Sequence, residues 1–523
     1  MDAGNFPQIV GIPLEEQSAS ASNECEFNVR TQHQPRGNAT RFLEVFSVAM
    51  MVNVMTLVAL LAHPMSGGET LQIGSRLELF VDAWLIDSMS ESLTMKLHAP
   101  RPAEVVLQFD RPWETRWSAS GYGTVFQDGD RYRLYYRAGL AEFGEPEFVC
   151  YAQSTDGIHW EKPDLNLIEY QGSKKNNIVW DGVGSPHALG VFKDTNPRCL
   201  PTERYKALSS DGYRKPVYAY GSPDGIRWHL IQEEPVIDEH RGAVAAYDSQ
   251  FCTRWDPVDR HYVVYHRIWY RPVDDKVRSI AVRTSADFIN WTPLKILDFG
   301  DTPPEHLYTN AIGPYFRSPH ILLGFPRRFW PSRKKWPEPK LAGISDTVFI
   351  SSRDGLHFDR LFMESYIRPG GDRLSWLTRC NTVLPGMLQL SSHELSLYVA
   401  RRWGDPTVHV RRYVLRTDGF VSVNASYAGG QLITKPFVFK GRELVINYAT
   451  SAAGSVRVAL AEANGKAIPG FAFENCPEIY GDEIEHVVEW AGQPGLAKLA
   501  GKPVRLHFQL KDADLYSIRF RTP

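Results

Sequence analysis

Paired cysteines are missing from this chain of 523 residues. The six that exist, Cys25, Cys150, Cys199, Cys252, Cys380 and Cys476, stand singly with no Cys-x-x-Cys spacing. That argues against a zinc site and a disulfide scaffold, while leaving room for one or two bridges. Charge of one sign is missing too: 58 Lys+Arg against 60 Asp+Glu give a net charge of −2, so nucleic acid and anionic membrane surfaces are not expected partners. The histidines, His240, His266 and His306 among them, show neither His-x-His nor His-Glu-x-x-His spacing, and no metal or other cofactor is expected. Aromatic residues, by contrast, make up 12% of the chain. They suit a β core, and flat rings lining a groove also stack on sugar faces.

One phrase organises what is present. Ser154-Thr-Asp-Gly-Ile-His-Trp160 is echoed at Ser222–Trp228, Ser285–Trp291, Ser352–Phe358 and Arg416–Ser422. Its aspartates, Asp156, Asp224, Asp287, Asp354 and Asp418, are spaced by 68, 63, 67 and 64 residues. The phrase is a hairpin signal, an apolar strand running into Asp-Gly, with Asp-Phe in the third copy, and an aromatic packing the return in the first four. Self-similarity at a fixed period marks a repeat architecture, and a unit of roughly 65 residues holds the four short strands of a propeller blade. The expected fold is therefore all-β, a five-bladed β-propeller over residues 69–425, in which the phrase and Trp160 with its equivalents serve as scaffold.

The flanks differ from the repeats. Residues 1–68 combine a polar, disorder-like start with an apolar run at 45–62 that reads as the core of an export signal, with an uncleaved anchor or a buried helix as rivals. A periplasmic or secreted protein is expected, with no stable membrane insertion beyond that segment. The alternating text from Leu77 is the expected ring-closing strand. Residues 426–523 carry strand-like runs and an Asn464-Gly465 hairpin signal, and read as an accessory β-sandwich without chemistry of its own.

A funnel at the axis of such a ring collects side chains from every blade, so candidates are sought at the blade openings rather than in local motifs. Four acids stand there: Glu114, Asp194, Asp248 and Glu305. Cleaving a glycosidic bond takes one carboxylic acid to protonate the leaving oxygen and one carboxylate acting on the anomeric carbon or on water. Asp248, Glu305 and Glu114 are the expected catalytic set. Asp194, in a turn-like Lys-Asp-Thr-Asn-Pro context, joins Arg379, Asn381, Asn310, Gln250 and His187 as expected substrate-binding residues. The basic, aromatic stretch Arg327–Trp336 reads either as a solvated loop or as a contact for an anionic saccharide.

The Ser-x-Asp-Gly-x-x-Trp repeat resembles the five-bladed propeller glycosidases of glycoside hydrolase families 32 and 43. Leu79-Phe-Val-Asp82, Leu415-Arg-Thr-Asp-Gly-Phe420 and Lys502-Pro-Val-Arg-Leu506 are similar to uncharacterised exported bacterial propeller proteins with a C-terminal sandwich. The resemblance covers residues 70–523 and implies a glycoside hydrolase acting on a poly- or oligosaccharide, anionic ones included. A non-catalytic carbohydrate-binding propeller and a glycoside phosphorylase are the alternatives. The acids typical of those families, two aspartates and a glutamate from the first three blades, do not line up with Glu114, His187 or Asp194, and Asp248. The Asn-Asp-Pro-Asn-Gly, Arg-Asp-Pro and Glu-Cys motifs of fructosidases are absent.

Overall fold

The computed structural model describes residues 70–522 except 119–121, 140–145, 182–185, 211–214, 239–245, 271–275, 338–340 and 493–494. The apolar run at 45–62 and the polar segment before it lie outside the described residues. Five antiparallel sheets follow one another along the chain. Blade one is Gly123–Asp128, Arg131–Gly139, Glu147–Ser154 and Ile178–Trp180. Blade two is Gly190–Lys193, Tyr205–Ser210, Val217–Ser222 and His229–Leu230. Blade three is Cys252–Asp256, His261–Tyr270, Val277–Ser285 and Lys295–Ile296. Blade four pairs Gly313–Tyr315, Ser318–Gly324 and Ile350–Ser352 and extends into the hairpin Arg327–Trp330/Ile344–Thr347. Blade five holds Thr382–Val383, Glu394–Arg401 and His409–Arg416. Each blade lies between two others, so middle strands are buried on both faces and read as continuous runs; every residue of Tyr205–Ser210 is buried.

The ring is closed by Arg101–Gln108, which pairs antiparallel with His409–Arg416. This corrects the assignment of the Leu77 segment to that role. Leu77–Leu79 instead pairs with Val504–Arg521, Leu71–Gly74 runs parallel to Phe437–Phe439, and Leu93–Leu97 pairs with Val421–Ala425. The C-terminal ten-stranded sheet is thus woven from both ends of the described chain. The physical reason is burial: Phe80 and Leu85 sit in one core with Phe437, Phe439, Phe508 and Phe520. Alternation identifies a strand without naming its partner. The five described cysteines are unpaired.

The repeated phrase forms the same turn in the first four copies. The Asp156 carboxylate accepts the backbone N–H groups of Ile158 and His159 at 2.8 Å, and Ser154 Oγ accepts that of Gly157 at 2.9 Å. In blade three, burial pushes the Asp287 carboxyl up, but hydrogen bonds from Asn290 and Ile289 outweigh it and hold it down to about 2.

Three of these four turns are gripped by the preceding blade. Tyr135 Oη of blade one donates to the Gly225 carbonyl of blade two at 2.9 Å, Tyr265 of blade three to Gly355 of blade four at 3.0 Å, and Tyr398 of blade five to Gly157 of blade one at 2.6 Å. The closing aromatic of each phrase packs edge-on against the same tyrosine: Trp228 on Tyr135, Phe358 on Tyr265 and Trp160 on Tyr398. Glycine is required here, since Gly225 has φ +77° and a Cβ on it would lie 2.5 Å from Tyr135 Oη. Between blades two and three the clasp is replaced. Leu208 stands where the tyrosine would be, and Phe288, at φ 71°, stands where the glycine would be. Its buried ring fills the gap in one cluster with Leu208, Phe192 and Tyr262.

Tyr135→Phe and Tyr265→Phe should each lower stability by about 1–2 kcal/mol in urea unfolding, because each strands a glycine carbonyl; Tyr398→Phe should cost less, since Trp160 Nε1 still donates to the Gly157 carbonyl at 3.1 Å. Leu208→Tyr should also destabilise, by about 1–3 kcal/mol, since Phe288 already occupies the space a clasp needs.

Candidate functional site

The clasp strands also build the axial funnel. Strands Arg131–Gly139 and His261–Tyr270 share the pattern Tyr-x-x-Tyr-x-Arg, as Tyr132-Arg-Leu-Tyr135-Tyr-Arg137 and Tyr262-Val-Val-Tyr265-His-Arg267. Residues two apart on a strand point to one face. The arginine two positions beyond Tyr135 and beyond Tyr265 therefore also reaches the next blade, now at its opening, while Ala400 takes that place after Tyr398. Arg137 meets His187 of blade two at 3.1 Å, and the Arg267 guanidinium lies 4.5 Å over the ring of Tyr308 in blade four.

On the first side of the funnel stand Glu147, His187, Arg137 and Tyr122. Glu147 accepts from His187 Nδ1 at 2.9 Å and from Arg137 at 3.4 Å. Burial pushes the Glu147 carboxyl up, but Arg137 and His187 outweigh that and hold it below the usual carboxylate range. For Glu147 to accept from it, Nδ1 must carry the imidazole proton, which leaves the Arg137 guanidinium, 3.1 Å from the same nitrogen, a neighbour rather than a donor to it. The Tyr122 ring lies 5.5 Å from that of His187 and 4.8 Å from the Arg137 guanidinium, and its hydroxyl donates to the Asp248 carbonyl at 2.9 Å. Tyr122 thereby bridges to the second side, where the Asp248 carboxylate is ion-paired with Arg267.

The second side is an arginine cage around Tyr308. The guanidiniums of Arg327, Arg267, Arg278 and Arg379 lie 4.2, 4.5, 4.7 and 5.7 Å from the centre of its ring. Arg327 is fully buried and donates to the Arg379 carbonyl at 3.0 Å and to Thr382 Oγ1 at 2.8 Å. Burial, with Arg267 and Arg379 alongside, pulls the Arg278 guanidinium down to about 10, and Arg327 is likewise pulled to about 10. Burial alone would push the Tyr308 phenol up; Arg267, Arg379 and Arg327 reverse that and hold it well below its ordinary value. Trp403 and Trp117, with ring centres 4.7 Å apart, extend the aromatic lining beside Arg379.

Three of the sequence candidates, Asp248, His187 and Arg379, meet at this axis. Gln250 reaches it as a brace, accepting from the Gly123 N–H at 2.7 Å and donating to Thr124 Oγ1 at 2.7 Å across the ring. Asn310 and Asn381 are buried and spend their side-chain amides on the backbone, Asn310 on Tyr265 and Asn381 on Ser345 and Ser375.

The other acids occupy different places. Glu114 is enclosed in blade one by Tyr136 at 2.5 Å and Lys162 at 2.7 Å. Asp194 lies at the far end of its strand, held by Lys206 and Tyr262, each at 2.8 Å. Glu305 pairs with Arg328 at 3.1 Å and Arg360 at 2.7 Å, in a cleft lined by Tyr270, Ile296 and Pro304 where blades three and four meet. Of the expected set of Asp248, Glu305 and Glu114, Asp248 stands at the axis with Glu147, while Glu114 and Glu305 lie apart from it in ion pairs of their own.

The basic stretch divides by strand alternation. Arg327 and Phe329 turn to Tyr308, Arg328 goes to Glu305 and Asp346, and Trp330 is exposed. Among the described residues no cluster of three or more His, Cys, Asp or Glu side chains is arranged to hold a metal. Sequence reasoning missed Tyr122, Arg137, Glu147, Arg267, Arg278 and Tyr308, and held Arg327 only as part of the basic stretch. The Tyr-x-x-Tyr-x-Arg repeat was the available signal for two of them.

No family model matches the chain. Two uncharacterized proteins of Mycobacterium tuberculosis, one from each of two strains, are 31% identical over 122 residues, 22% of this chain. The chain spans about a third, 36%, of the length of these curated relatives. Among solved structures, a Bombyx mori GH32 β-fructofuranosidase is similar at 11% identity and TM-score 0.40, covering 80% of this chain and 95% of its own. An N-acetylgalactosamine deacetylase from F. plautii, in complex with blood group B trisaccharide, is similar at 12% identity and TM-score 0.40, covering 62% and 96%. The chemistry of this chain is read from its own axial side chains.

Tyrosinate ultraviolet absorbance should reveal one tyrosine ionising well below the others in the wild type and none such in Tyr308→Phe. Because the folded value is depressed, the group's contribution to stability is full above the unfolded value of about 10 and fades as pH falls through the folded one. The stability difference between wild type and Tyr308→Phe should accordingly grow with pH across that window.

Proposed function

We propose that this protein is an exported glycoside hydrolase that binds a saccharide at the propeller axis. The supporting observation is that Glu147 and His187, from blades one and two, stand across Tyr122 from Asp248 of blade three, inside an aromatic wall. Trp117, only partly buried where it packs on Trp403, offers ring surface to a sugar face. Both carboxylates have cationic partners that favour the ionised form. Neither is set up as the proton donor. Asp248 is the carboxylate that stabilises the developing charge at the anomeric carbon or activates water. His187, its Nδ1–H held by Glu147, acts in its doubly protonated form: Nε2 gives its proton to the leaving oxygen, and the attacking water supplies the proton that restores it. Export rests on the apolar run at 45–62.

A panel of polysaccharides and aryl glycosides tests this. On the substrate that is cleaved, Asp248→Asn and Glu147→Gln should each lower kcat by about a hundredfold or more. Glu114→Gln and Glu305→Gln should lower stability and leave kcat near wild type. Unchanged turnover in Asp248→Asn and Glu147→Gln would refute the assignment, and binding without cleavage across the panel would point to a non-catalytic carbohydrate binder.

A further inference from the structure

The axial cage holds more positive charge than its described partners neutralise. Arg137 has Glu147 and Arg267 has Asp248. Among the described residues Arg278 and Arg379 meet no carboxylate; their polar partners are His306 for the first and Tyr308 and Thr378 for the second. Arg267, 2% exposed, has Nε and Nη1 buried without a hydrogen-bond partner among the described residues, and Arg278 Nε is in the same position. Aromatic faces cover the guanidinium planes: Tyr308 under Arg267 and Arg278, Trp269 under Arg278 at 4.3 Å, and Trp403 beside Arg379. A ring face meets the guanidinium plane and leaves the in-plane N–H groups without acceptors. Buried in-plane donors of this kind suit a planar or tetrahedral oxyanion, which guanidinium forks bind in two-pronged fashion.

We infer that Arg267, Arg278 and Arg379, with Tyr308 at their centre, form an oxyanion subsite that takes the carboxylate or sulfate of an acidic sugar residue. This rests on the axis being a saccharide site, and it narrows the substrate class from saccharides in general to acidic ones. Asp248 sits on the same Arg267, so an acidic group held in the cage places its sugar ring beside the Asp248 carboxylate. The Trp117–Trp403 pair next to Arg379 gives that ring, or its neighbour in a chain, an apolar face to stack on. The subsite also has a built-in reporter. A bound oxyanion takes up guanidinium charge that otherwise favours the Tyr308 phenolate, so binding must raise the pH at which Tyr308 ionises, and ionisation must weaken binding by the same factor.

Calorimetric titration of the full chain at low ionic strength with D-glucuronate, D-glucose and inorganic phosphate tests the subsite, with the tyrosinate absorbance followed in parallel. The expected result is that glucuronate binds, weakens as salt is added and lowers the tyrosinate signal, while glucose does neither. Arg379→Gln, checked for native circular dichroism, should weaken glucuronate binding about tenfold or more. If that variant does not fold, the wild-type absorbance titration decides alone.

Glucuronate binding no tighter than glucose, or no change in the tyrosinate signal, would overturn the subsite. Inorganic phosphate binding more tightly than glucuronate would overturn its assignment to a sugar-borne group in favour of free phosphate, the requirement of a phosphorylase. Cleavage of neutral glycosides with no glucuronate binding would remove the subsite and leave the hydrolase. Glucuronate binding with no cleavage of any glycoside would leave the subsite and remove the hydrolase.

Discussion

A tyrosine hydroxyl reaching from one blade into the glycine carbonyl of the next fixes how neighbouring sheets sit around the ring. It is a short-range contact, but it acts between sheets that share no backbone ladder, and the turn that receives it tolerates no side chain at the glycine. In blades one and three the same strand carries an axial arginine two residues further on, on the same face. The clasp that sets the blade angle thus also aims Arg137 at His187 and Arg267 at Tyr308. Scaffold and site are two ends of one strand face. The exception between blades two and three obeys the same packing demand by other means: Phe288 accepts a left-handed backbone so that its ring can replace both the tyrosine and the glycine.

The axis is expensive to build. Guanidiniums removed from water lose hydration, and several placed together repel one another, which is why burial and like charge both pull Arg278 and Arg327 down. The faces of Tyr308, Trp269 and Phe329 offset part of this, at about 0.5–2 kcal/mol for each well-placed ring. A fold that needed only a plugged axis would fill it with apolar side chains, as the cores between blades do. Concentrating charge there lowers stability, and the proposed oxyanion would supply the negative charge that the cage's described partners lack.

Much of the fold was legible in the sequence because its signals are local. An Asp-Gly turn with a preceding serine satisfies its own backbone donors within a few residues, so the phrase at Ser154, Ser222, Ser285 and Ser352 could be read without knowing the rest of the chain. What depends on distant partners was not legible. Leu77–Leu79 announces a strand, but that it joins Val504–Arg521 rather than blade five depends on residues more than four hundred positions away. The site shows the same division. Counting back from each turn reached the blade openings, where Asp248, His187 and Arg379 come together around Tyr122 and Tyr308. Acidity at an opening did not reveal direction: Glu114 and Glu305 turn into packing ion pairs because Lys162, Arg328 and Arg360 meet them there. Arg137 and Arg267 read as ordinary strand residues until the clasp shows where that face leads.

The central claim is that a saccharide occupies the axis with its acidic group in the arginine cage. A crystal structure of the full chain with an acidic oligosaccharide bound tests it most directly. The account predicts a sugar carboxylate or sulfate within hydrogen-bond distance of Arg267 and Arg379, and a glycosidic oxygen between Asp248 and His187. A saccharide seated instead on the Trp330 hairpin or on the C-terminal sheet, with the axis free of sugar, would contradict it.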